Sequence, residues 1–316
     1  VVVNHISNYD WHPLKYIDKT VYFKLDEQGD FLSQCCGNLL ASDHQPVRDY
    51  IIESLKYWMT DYHIDGFRFD QAHLLSVETA RFIIDELKKI NPNVIIYGEA
   101  WDEKEKEFSE MGWGSFNARF RDVLRGDLHN YDEKGFLFGN FRDNETLENL
   151  QALILGTHNI YQSPAHAVTF QEFHDDYCFN DYLRLSSSRN SRDDIIDDPM
   201  KHIELDDDLL RKNKLGALIL LTSQGIPIIH QGQDWAHSQI IAETDAHDPN
   251  VGKMDRNPYN KDNETNWVNW LEKDKNKELA DYYSGLIDLR RTHTEFRHTT
   301  KKDFKFQGLA DHALGY

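Results

Sequence analysis

Three acidic residues each end, or closely follow, a short run that reads as a β-strand. Asp70 closes GFRFD (66–70), Glu99 sits in VIIYGEAWD (94–102), and Asp175 follows His174 in VTFQEFHDD (168–176). Side chains two residues apart on a strand point to the same side, so Arg68 shares a face with Asp70. Carboxylates gathered at strand ends are what acid-assisted cleavage of a glycosidic bond requires. One attacks the anomeric carbon and the other protonates the leaving oxygen. The attacking group must stay ionised, which a guanidinium on the same face favours. The donor must hold its proton, which calls for shielding from water, and Trp101 is one candidate neighbour for Glu99. Taken singly, each residue carries a blander meaning: an Asp at a strand end caps the next helix, and a buried Arg–Asp pair is structural. His174 beside Asp175 is, by itself, a satisfied hydrogen-bond pair.

The elements that must position these residues alternate along the chain. DGFRF (65–69), NVIIY (93–97), AVTFQEF (167–173) and IPIIH (226–230) are short, apolar and rich in β-branched or aromatic residues, the pattern of buried strands. VVV (1–3) reads as the tail of another strand, and SFNARF (115–120) as a weaker one. Between them, Ser42 or Asp43 caps an expected helix to about His63, with Val47, Ile51, Leu55, Trp58 and Tyr62 as its apolar stripe. Ser76 caps a second, with Val77, Ala80, Ile84 and Leu87 facing inward, and Asn91-Pro92 ends it. Residues 144–156, 208–223 and about 276–292 read as helices too. Repeated strand–helix alternation predicts an α/β fold with a parallel sheet and helices outside it. No glycine-rich nucleotide turn follows any strand, which favours a closed barrel over an open doubly wound sheet. Two stretches, 101–141 and 176–207, break the rhythm after a strand, on the side of a barrel that bears active sites.

With 316 residues, 40% hydrophobic and 12% aromatic, the chain can fill a large single core. A formal net charge of −19 argues against nucleic acid or an anionic membrane surface as partner, since phosphate binding needs clustered Lys and Arg. A neutral polysaccharide fits this charge, although most of it is accounted for by solubility alone. Three cysteines, Cys35, Cys36 and Cys178, are an odd set with two adjacent, unlike a disulfide framework, and a Cys35–Cys178 bridge stays open. No run approaches the roughly 20 apolar residues of a membrane span. No His/Cys spacing points to zinc. The chain opens at VVVNH without methionine or a visible signal peptide, so its natural start is expected to lie upstream.

These blocks, in this order, resemble the α-amylase superfamily of glycoside hydrolases. VVVNH (1–5) is similar to the end of that family's third barrel strand, GFRFD (66–70) to the fourth and YGEAWD (97–102) to the fifth. FHDD (173–176) is similar to the seventh, and GIPIIHQGQDW (225–235) to the eighth with its following turn. The resemblance implies a TIM-type (β/α)8 barrel, Asp70 as nucleophile, Glu99 as general acid/base and Asp175 as stabiliser of the distorted sugar. It further implies substrate contacts by His5, Arg68, Trp101 and His174. CGN (36–38), HQPVRDYIIESLKYWMTDYHIDGFRFD (44–70), SFNARFRDVLRGD (115–127) and KDNETNWVNW (261–270) look like the pullulanase and isoamylase group. Those enzymes hydrolyse α-1,6 branch points in starch, glycogen or pullulan. Trp267 and Trp270 are candidate sugar-stacking platforms, with a core or loop-anchoring role as the alternative, and the same holds for Trp11, Trp113 and Trp235.

The chain departs from the group's pattern at Asp176, at Gln71-Ala72-His73, and at Gln231 and Asp234. These departures bear on bond specificity, so an α-1,4-acting amylase, a branching enzyme and a non-catalytic binding subunit stand as alternatives. Asn4 resembles a calcium-binding position of α-amylases, with a loop-holding hydrogen bond as its other reading, and no cofactor is otherwise expected. Because the resemblance begins at the third strand, the first two strand–helix units are expected to be missing from residues 1–300, an incomplete barrel. Residues 301–316 are expected to open a C-terminal β-domain. A barrel short of two strands leaves unpaired edges, so the isolated chain is expected to be unstable or inactive.

Overall fold

The computed structural model describes the whole chain except residues 35, 102–103, 142–144, 157–158, 246, 300–301 and 311–312, and except the side chains of 309–310. Cys35, Asp102 and the expected helix start at residue 144 therefore lie outside the described residues. The chain divides into two compact units. One comprises Val1–Phe116 with Asn159–Val168, the other Asn117–His158 with Thr169–Tyr316.

In the first unit Gly66–Phe69, Ile95–Gly98, Gly114–Phe116 and the start of Ala167–Thr169 form a parallel sheet. Its register pairs Phe69 with Gly98, Gly98 with Ser115, and Ser115 with Ala167. Helix Val77–Ile90 connects the first two of these strands and, with Gln45–Asp61 before them, packs on the sheet, giving the α/β order expected from the alternation. The first helix buries Val47, Ile51, Ile52, Leu55 and Met59, whereas Trp58 and Tyr62 stay exposed. Steps of four from Val47 reach Met59, so the true stripe passes beside the two aromatic residues. Trp58 and Tyr62 instead pack on each other at 4.6 Å. The residue at this helix's N-cap is His44, and the Ser42 hydroxyl accepts from Ser76 N at 3.0 Å. Ser76 caps its own helix as expected, accepting from Thr79 N at 3.2 Å. Ala80, Ile83, Ile84 and Leu87 meet Phe69, Phe108 and Trp113 in the core.

The opening VVV is not itself strand; the strand is His5–Ile6, antiparallel to Gly37–Leu39. Residue 1 still lies along the sheet, because Asp70 N donates to Val1 O at 3.0 Å.

The second unit is mainly helical, with Ala118–Arg125, Leu147–Ile154, Phe179–Ser186, Asp207–Thr222 and Lys277–Thr292 as its longer helices. The strand expected over 115–120 ends at Phe116, because the Asn117 side chain accepts from Phe120 N at 3.0 Å and starts a helix. The strand expected over 167–173 stops at Thr169, whose carbonyl accepts from Ile228 N at 2.8 Å next to strand Ile226–Pro227. Beyond it the ladder is replaced by side chains: the Arg125 guanidinium donates to Gln171 O. Strands Gln307–Ala310 and Ala313–Gly315 pair antiparallel. Cys178 is a buried free thiol.

Candidate active site

In the first unit the neighbouring strands Gly66–Phe69 and Ile95–Gly98 end together, and their last turns carry the acids. Arg68 joins them: Nη1 donates to Asp70 Oδ1 at 2.9 Å and Nη2 to Glu99 Oε1 at 2.5 Å. The guanidinium also lies over the Phe116 ring at 5.5 Å, which holds the fork in place. Glu99 is only 3% exposed. Its second oxygen accepts from Gln71 N at 2.8 Å. Gln71 adopts φ 42°, a left-handed conformation unfavourable for a non-glycine residue, and that turn is what aims its amide at Glu99.

Asn4 and His5 brace the same strand end. Asn4 Nδ2 donates to the carbonyls of Asp70 and Gln71, each at 2.6 Å, and His5 Nδ1 donates to Asn4 Oδ1 at 2.6 Å. Burial lowers the pKa of His5, with Asp70 opposing in part, so its ring is neutral near pH 7. Trp101 is half-buried and its carbonyl accepts from Lys104 N at 3.3 Å, at the start of helix Lys104–Met111.

In the second unit the half-buried His174 and the exposed Asp175 are adjacent, with Nε2 and Oδ2 3.5 Å apart. The His174 ring packs on Phe173 at 3.9 Å. Asp176 has φ 64° and accepts from Arg256 at 3.1 Å, so a strained residue directly follows Asp175 as one follows Asp70. His174 belongs to the wall of a cleft of about 790 Å³, together with His230, His237, Tyr259, Trp267 and Glu272. Tyr259 and Trp267 are each 61% exposed, a geometry open to a flat ligand face. Trp270 instead packs on the buried Trp235 at 5.3 Å, the anchoring alternative.

The motifs missed several of these residues. Gln71 was read as a departure from a pattern rather than as an amide donor. Glu172, inside the apolar run 167–173, accepts from His230 and His237. Glu172, Cys178 and His237 also bring their donor atoms within 4.8 Å of one another, although no Cys/His spacing marks them. Burial raises Glu272 to about 7. The usable signal was polarity inside an apolar run, since a buried acid needs a partner.

No family model matches the chain. Pullulanase of Bacillus subtilis (strain 168) is 26% identical over 338 residues, covering 100% of this chain and 43% of that protein. Isoamylase 1, chloroplastic, of Arabidopsis thaliana is 25% identical over 310 residues, covering 82% of this chain and 36% of that protein. Among solved structures, pullulanase of Anoxybacillus sp. LM18-11 complexed with maltotetraose superposes with a TM-score of 0.81 at 28% identity, covering 98% of this chain and 44% of that one. The chain thus spans less than half the length of these relatives. The likeness runs through both units: over nearly its whole length the chain is similar to pullulanases and isoamylases.

Proposed function

We propose that this chain carries the catalytic residues of a retaining glycoside hydrolase that cleaves α-1,6 branch linkages in starch, glycogen or pullulan. The observation that supports it best is the single Arg68 guanidinium bonded to both Asp70 and Glu99. One guanidinium spans only carboxylates a few ångströms apart. That favours the roughly 5–5.5 Å separation of retaining enzymes over the roughly 6.5–9.5 Å of inverting ones. The names of the relatives (pullulanase and isoamylase) support the bond type, and the maltotetraose of the structural relative supports an α-glucan. The parallel strands are read as consecutive strands of a (β/α)8 barrel, with both acids at their C-terminal ends.

In the first step the Asp70 carboxylate attacks the anomeric carbon while the glycosidic C–O bond breaks. Glu99 gives its proton to the departing oxygen. In the second, Glu99 takes a proton from water as that water displaces Asp70, which restores both groups and retains the configuration. The resemblance assigns stabilisation of the distorted ring to Asp175 and sugar contacts to His5, Arg68, Trp101 and His174. The neutral His5 ring orients a hydroxyl without adding charge. Neither step uses an organic cofactor. Asn4 is read as a brace rather than a calcium ligand, since its amide oxygen already faces His5 and its nitrogen donates to two carbonyls.

The test is reducing-sugar release from pullulan, amylose and glycogen by the intact protein and its Asp70→Asn variant. Maltotriose from pullulan, little release from amylose, and a loss of about 10⁴-fold or more in Asp70→Asn are expected. Activity unchanged by Asp70→Asn would remove the nucleophile and the mechanism with it.

A further inference from the structure

A buried carboxylate that this chemistry does not use stands two residues before His174. Glu172 is 1% exposed. Its Oε1 accepts from His230 Nδ1 at 2.9 Å and from His237 Nε2 at 2.8 Å. Its Oε2 accepts from Phe179 N at 2.5 Å, the first residue of helix Phe179–Ser186. A carboxylate oxygen that faces two ring nitrogens makes both of them N–H donors, so the tautomer of each ring is set. Between the Glu172 carboxylate and that helix start runs the segment that bears His174, Asp175 and Asp176. Asp176 holds φ 64°, and a non-glycine residue stays there only where its surroundings over-determine it. Arg256 grips Asp176 in the middle of the segment, and Glu172 grips both ends. His230 and His237 lie in the wall of the same cleft as His174.

We propose that His230 and His237 form, on the buried Glu172 carboxylate, a clamp that positions the His174–Asp175 segment against the cleft. They are positioning residues, and the kinetic part of this inference rests on the glucan-hydrolase reading above. The clamp has a pH window. Burial lowers the pKa of His237, but Glu172, Asp181 and Glu272 together raise it above its ordinary value of 6.5. Burial likewise raises Glu172, and His237 with His230 reverses this to well below the ordinary 4.5. The other groups facing the cluster are Cys178, whose thiol donates to His237 O, and Asp234. Asp181 is itself held by Ser238 at 2.7 Å and Gln239 N at 3.1 Å, with His202 3.6 Å away. The His237 contribution is complete below 6.5 and lost as pH rises through its raised folded value. The Glu172 contribution is complete above 4.5 and lost only in strong acid. The clamp therefore opens on the alkaline side.

Two measurements test it. Across pH 5–9 in the intact protein, kcat and KM on pullulan are compared for wild type, Glu172→Gln, His237→Gln and His237→Arg. Glu172→Gln is expected to lose about tenfold in kcat/KM. His237→Arg, which carries a cation that does not titrate in this range, is expected to recover part of the His237→Gln loss and to move the alkaline limb upward by about one unit. An alkaline limb identical in wild type and His237→Arg, with Glu172→Gln at wild-type kcat/KM, would overturn the clamp. The second measurement is imidazole NMR titration of wild type and Glu172→Gln, which needs no activity. A His237 titration above 6.5 that falls in Glu172→Gln supports the clamp, and an identical titration in both overturns it. A wild type that cleaves no glucan counts against the hydrolase reading alone.

Discussion

Arg68 shows how one side chain holds two others. Its planar fork reaches Asp70 and Glu99 at once, and Phe116 beneath it removes the freedom to choose one. A lysine there would offer a single charge without the fork. The pairing of Arg68 with Asp70 was legible from the sequence because strand periodicity puts residues two apart on one face. Gln71 was not, since its contact depends on a left-handed backbone that no residue-type rule assigns to glutamine. Glu272 was hidden for a similar reason: its high pKa comes from burial in a folded wall. Protonated Glu272 contributes stability that is complete below 4.5 and lost as pH rises through about 7. Glu272→Gln, which keeps the shape without the charge, is therefore expected to flatten the fall in melting temperature between about pH 5 and pH 8. Parallel pH–melting curves for the two proteins would show that Glu272 does not titrate in this range.

At the scale of elements, the acids depend on how closely two strands approach. Gly98 is the strand residue before Glu99, and a Cβ there would stand 2.8 Å from both Phe69 O and Ala72 Cβ. Backbone cannot move aside as a flexible side chain can, so Gly98→Ala is expected to cost about 1–3 kcal/mol. It should also shift Glu99 away from Arg68. Thermal unfolding and pullulan kinetics check both effects, and wild-type values in each would show that the strand tolerates a methyl group. The Val77–Ile90 helix was readable to the residue at its start because Ser76 is a good cap. The strands were read too long at 167–173 and 115–120. There buried polar side chains took over backbone bonding, at Arg125 to Gln171 O and at Asn117 to Phe120 N. An apolar run does not record where the ladder stops.

For the whole molecule, a net charge of −19 bears on partners more than on fold. Affinity for a neutral glucan releases no condensed counterions, so raising NaCl from about 50 to about 200 mM is expected to change it less than about twofold, where a polyanion binder would lose about 10³-fold or more. Glucan-affinity electrophoresis at the two salt concentrations reads this, and a steep salt slope would contradict a neutral ligand. The sequence by itself determined the α/β alternation and the parallel sheet, because burial on both strand faces and 3.6-residue helix stripes are written in residue types. It also determined that Asp70 and Glu99 directly follow strands, whereas Asp175 lies six residues past the end of its own. Only the tertiary structure decided that Arg68 reaches Glu99, 31 residues away, and that Glu172 meets His230 and His237, 58 and 65 residues away. Those pairings follow from strand register and turn geometry, which bring distant residues to one place and leave no local pattern in the sequence.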